Sequence, residues 1–106
     1  MSENTIPGRA RHLGPAAGLV HAKDDKRIID WTGDAQLYLL SPALRGYTTV
    51  VVATNDNSAH APEFGIETNV YGLEGEGLLL DWDDVAGGRG IHTAADALAG
   101  AGYTIH

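Results

Sequence analysis

The chain has 106 residues, enough for one hydrophobic core and too few for two domains of ordinary size. It contains no cysteine, which excludes disulfides, a thiolate nucleophile and any cysteine-based zinc site. The net charge of −7 is unevenly spread: residues 1–27 hold five cations against three carboxylates, whereas residues 28–106 hold two against eleven. An acidic body without a basic stripe argues against nucleic acid as a partner. No apolar run approaches the ~20 residues of a spanning helix, and Met1–Arg11 lacks the apolar core of a signal peptide.

Residues 1–26 read as an extended N-terminal arm, because Pro7, Gly8, Gly14, Pro15 and Gly18 punctuate it and no helix or strand period survives. The α+β domain is then expected over residues 27–106. Arg27–Trp31 and Gln36–Leu40 flank Thr32-Gly33-Asp34 as a hairpin would. Ser41-Pro42 is expected to interrupt the second of these strands, since proline lacks the ladder donor. Tyr47–Thr54 is β-branched and apolar on both faces, the pattern of a central strand. A polar loop over 55–63 follows. Phe64–Gly72 alternates, with Phe64, Ile66, Thr68 and Val70 on one face, and a turn at Glu74–Gly77 leads into Leu78–Trp82. The best-marked element is a short helix. Thr93 is placed to cap its start, Asp96 falls in its first turn, and Gly102 suits the left-handed position after its end, with Tyr103 able to cover Leu98. The expected fold is therefore a small α+β domain, with an antiparallel sheet of about five short strands, one C-terminal helix and the arm.

Two sets of residues are candidate sites. Gly87, Gly88, Arg89 and Gly90 run toward the helix start at Thr93. Flexible amides, a guanidinium and a helix N-terminus could together receive an anion, although the Lys-Ser/Thr pair of a phosphate-binding loop is missing. The plainer reading is a glycine-rich connection with a capping threonine. Arg9 and Arg11 on the arm, with Trp31 and Tyr38, are candidate partner contacts, since arginine and aromatic residues are enriched at interface hot spots. Trp31 and Tyr38 read at least as well as core residues. Asp81, Asp83, Asp84 and His92 were weighed as metal ligands and read better as an acidic turn, as His60–Glu63 reads as a surface loop and Asn55-Asp56-Asn57 departs from calcium-loop spacing. No cofactor fingerprint, metal-ligand spacing or catalytic motif is present, so neither a metal, a cofactor nor an enzymatic activity is expected.

The segments Leu40-Ser41-Pro42-Ala43-Leu44-Arg45-Gly46-Tyr47, Glu67-Thr68-Asn69-Val70-Tyr71, Asp81-Trp82-Asp83-Asp84-Val85, Gly88-Arg89-Gly90 and Ala97-Leu98 with Ala101-Gly102-Tyr103 together resemble a family of small uncharacterised proteins of actinobacteriophages and actinobacteria. The similarity spans roughly residues 36–105 and departs at Gly90-Ile91-His92-Thr93, where the family tends to place an Asp before the His. It implies a phage or actinobacterial origin and a place in the host cytoplasm or the virion, and it carries no activity with it. The function expected is a phage-encoded, non-enzymatic accessory protein that binds a host or phage protein. The alternatives are a virion or oligomer component whose arm docks on a neighbouring subunit, and a small anion- or ligand-binding module.

Overall fold

The computed structural model describes residues 8–16, 18–23, 27–29, 31, 33–56, 65–74 and 79–105, with the side chains of residues 82–84 left aside. All of the expected turn at 74–77 but Glu74, most of the 55–63 loop, and the side chains of Phe64, Leu78, Trp82, Asp83, Asp84 and His106 lie outside the described residues.

Among the described residues seven strands and one helix follow one another: β1 (Gly8–Pro15), β2 (His21–Ala22), β3 (Asp34–Leu44), β4 (Tyr47–Asp56), β5 (Ile66–Glu74), β6 (Leu79–Arg89), α1 (Ala94–Gly100) and β7 (Tyr103–Ile105). They form a single sheet in the order β2-β6-β5-β4-β3-β1-β7. β3, β4, β5 and β6 make an antiparallel meander, while β1 runs parallel to β7 and β2 parallel to β6. The α+β outline holds, but the sheet of about five short antiparallel strands is corrected: among the described residues there are seven strands, mixed in direction, and β3, β4 and β6 reach 10 or 11 residues.

The reasons lie in pairing rather than local propensity. The segment expected to be an arm supplies β1 and β2. β1 carries one deeply buried apolar side chain, Ala10, but pairs on one side with β3 from Arg9↔Ser41 to Pro15↔Gln36 and on the other with β7. Such two-sided pairing overrides a weak strand preference. β3 does not stop at Pro42; it continues to Leu44 with a register irregularity between Leu39 and Leu44. Conversely, the expected strand at Arg27–Trp31 is reduced to one bridge, Ile28 to His21, while Ile29 and Trp31 pack on the sheet.

The sheet is apolar on both faces, as the unbroken Val50-Val51-Val52-Ala53 run of central β4 requires. Val50 and Val52 join Ala10, Tyr38, Leu40, Val70, Ala97, Leu98 and Tyr103 in a core covered by α1. Val51 and Ala53 join Ala35, Leu37, Leu73 and Leu80 in a second core on the other face, covered by Ala16, Val20, Ile29 and Trp31 from the connection between β1 and β3. The helix forms as its sequence signals predict. The Thr93 hydroxyl accepts from the Asp96 N–H at 3.1 Å, and Gly102, at φ 95°, donates its N–H to the Ala99 carbonyl. Tyr103 then turns back into the core, where its hydroxyl donates to the Pro42 carbonyl at 2.6 Å, tying β7 to β3 across β1.

Candidate functional site

Strand pairing decides which side chains of β1 and β3 meet. Residues directly opposite in an antiparallel ladder share a face. Arg9 pairs with Ser41 and Arg11 with Leu39, and Leu39 lies two residues from Leu37 of the second core. All four therefore belong to the face opposite the helix. The cover over that face ends between Leu37, which is 6% exposed, and Leu39, which is 39% exposed. Beyond this limit a groove of about 480 Å³ opens, lined by Arg9, Ala10, Arg11, Leu39, Leu40, Ser41 and Thr48. Its walls are largely apolar, and the two guanidinium groups stand on one strand two residues apart, about 6.6 Å along the chain. Both arginines are exposed, and among the described residues neither has an ion-pair or hydrogen-bond partner.

A polar row on the opposite face holds β1 in this register. Gln36 donates its amide N–H to the Asp34 carboxylate at 2.7 Å, so its carbonyl oxygen is left to face His12 Nε2 at 2.6 Å. The oxygen can only accept, hence His12 donates from Nε2. The His12 ring also lies against Tyr38, with ring centroids 5.2 Å apart. Burial, and then the Asp34 charge, pushes the Tyr38 phenol above its ordinary range. Neither the row nor the groove is visible in sequence, because both depend on the β1–β3 register.

The other expected site residues are placed as follows. Tyr38 is in the helix-side core and only 6% exposed, which makes it a packing residue; Trp31 is half-buried against the second core. Gly87, Gly88 and Arg89 form the end of β6 instead of a loop, opposite Asn69, Thr68 and Glu67. Gly90 gives its N–H to the Ile66 carbonyl at 3.0 Å, and Arg89 has an interaction of its own. Glycine at 87 has a steric reason: at φ 95° a Cβ there would come within 2.2 Å of the Thr68 carbonyl oxygen of the neighbouring strand β5. Thr68 is fully buried and satisfied. It donates to the Ile91 carbonyl at 2.7 Å, so in its 3.0 Å contact with Thr54 it must accept.

A second polar cluster stands where β2, β4, β5 and β6 meet. Lys23 pairs with Glu74, and Tyr47 donates its hydroxyl to Asp81 at 3.0 Å. The Tyr47 ring lies over Gly72, where a Cβ would fall 2.4 Å from the ring carbons. The hydrogen bond to Asp81 raises the Tyr47 pKa, and the bond to Glu74 raises that of Lys23. An opening of about 540 Å³ beside it is lined by Arg45, Gly46, Tyr47, Thr48, Leu73 and Glu74. Lys23 with Glu74 and Tyr47 with Asp81 already satisfy one another, which makes this cluster a structural tie between strand ends. Asp81 is thus engaged by Tyr47, His92 is exposed, and among the described residues no three metal-ligating side chains converge. No described helix is long and apolar enough to cross a membrane.

No family model, no curated protein and no solved structure matches this chain.

Proposed function

We propose that this chain is a phage-encoded, non-enzymatic binding protein that engages a host or phage protein through the Arg9–Arg11 groove. One observation carries the reading. On a chain with fourteen carboxylates, two neighbouring arginines stand exposed, without an intramolecular partner among the described residues, beside a partly exposed leucine on an uncovered sheet face. Cations needed for stability would be expected near those carboxylates; cations held apart from them are free to meet another molecule. The resemblance of residues 36–105 to actinobacteriophage proteins supports the phage origin and the host as the place of action. A second reading, self-assembly, draws on the same charge asymmetry, since an acidic neighbour could itself fill a basic groove.

The test is paired affinity capture from actinobacterial lysate, using the wild-type chain and the R9E/R11E variant. A protein retained by the first and lost by the second is expected. Equal recovery on both would contradict the reading.

A further inference from the structure

Resting on that protein-binding reading, we infer that the groove receives a peptide segment in which an apolar side chain is flanked by carboxylates. Three features define this chemistry. The floor is apolar, built from Leu39 and the arginine stems, so it gains by burying an apolar side chain. Arg9 and Arg11 flank it on the β1 side, and a guanidinium takes a carboxylate through two parallel hydrogen bonds. Ser41 and Thr48 add hydroxyls on the β3 and β4 side, able to donate to or accept from a peptide backbone.

Charge complementarity fixes both the sign of the partner and its position. Residues 28–106 carry a net −9 and repel an acidic segment, so the Arg9–Arg11 groove is where its approach is favoured. A basic segment would be drawn to the acidic body and turned away from the groove, which excludes one class of partner by repulsion as well as selecting another by attraction. A volume of about 480 Å³ accommodates one or two large side chains. That size suits a short linear segment whose binding is concentrated at one anchor.

The experiment is fluorescence anisotropy with the full chain and two labelled peptides, one placing leucine between pairs of Asp and Glu, the other the same sequence with Lys at every acidic position. The wild-type chain is expected to bind the acidic peptide and not the basic one. R9E/R11E is expected to lose at least tenfold in affinity for the acidic peptide and to gain affinity for the basic one. Leu39→Ser is expected to weaken acidic-peptide binding several-fold with the charge unchanged. R9Q/R11Q, which removes charge without reversing it, should fall between wild type and R9E/R11E and guards against a folding defect; circular dichroism reports on all variants. Raising salt from about 50 to about 500 mM should weaken the wild-type interaction, since exposed charges are screened over a few ångströms at the upper end. Acidic-peptide binding that is absent, or unchanged by charge reversal, overturns the inference. So does a wild-type dimer in sedimentation that dissociates on charge reversal, which would put a second copy in the groove. Arginine-dependent capture of a protein without acidic-peptide binding overturns this inference and leaves the protein-binding reading standing; capture indifferent to charge reversal overturns that reading itself.

Discussion

Single residues in this protein are fixed by close approach. Gly87 is the sharpest case, because the Thr68 carbonyl occupies the space of a Cβ and the backbone is left-handed. Gly87→Ala should therefore cost about 2–4 kcal/mol, combining the left-handed penalty with overpacking. Gly100 is the internal control: it lies in the last turn of α1 with open space around it. Gly100→Ala should stabilise by up to about 1 kcal/mol, the difference in helix propensity. Urea denaturation of the two variants checks both signs. Tyr47 gives a pH prediction. Its hydrogen bond to Asp81 holds the phenol proton in the native state. An unfolded tyrosine ionises near ~10. The native one ionises at higher pH, so its contribution is complete below the unfolded value and is lost as pH rises through the native one. Absorbance titration at alkaline pH, taken as the difference between wild type and Tyr47→Phe, should show a phenol ionising above the ordinary range. Asp81→Asn should bring it back toward that range.

Among the elements, α1 shows what sequence can reveal. Its cap, its buried face and its glycine terminator all act within ten residues, and each is found where Thr93, Leu98 and Gly102 placed it. A helix of seven residues does not persist alone, so its docking on the sheet holds it. Leu98 is fully buried at that seam. Leu98→Ala should cost about 2–5 kcal/mol, whereas Thr93→Ala should cost about 1 kcal/mol; the shift in urea midpoint at constant slope separates the two. Central β4 was equally legible, because a run of valines buried on both faces needs no partner to be recognised. β1 was not. Its glycines and proline signal a coil, and its strand character comes from β3 and β7, which lie about 30 and 95 residues away in sequence. The same long range hid the groove. Arg9 and Arg11 stood out as candidate partner contacts on an expected arm, but Leu39, Ser41 and Thr48 became their neighbours only through register. The glycine run at 87–90 misled for the opposite reason: glycine marks both flexible loops and strands in close backbone contact, and the Thr68 carbonyl that decides between them is nearly twenty residues away.

For the whole molecule, one sheet with two unequal faces organises stability and shapes the groove on which the proposed function rests. The helix-side face is closed by α1, Tyr103 and their neighbours. Among the described residues the other face is closed as far as Leu37 by the β1–β3 connection, and its open end carries Arg9 and Arg11, which have no ion-pair or hydrogen-bond partner among those residues. The proposed binding surface thus depends on the N-terminal segment being part of the sheet. If residues 8–15 were a free arm, Arg9 and Arg11 would have no fixed relation to Leu39. Nuclear Overhauser contacts in the isotope-labelled full chain test this most directly. The account predicts cross-strand contacts between Ala10 and Leu40, between Arg11 and Leu39, and between Gly8 and Tyr103. Coil-like shifts over residues 8–15 with none of these contacts would contradict it and remove the groove on which the proposed function rests.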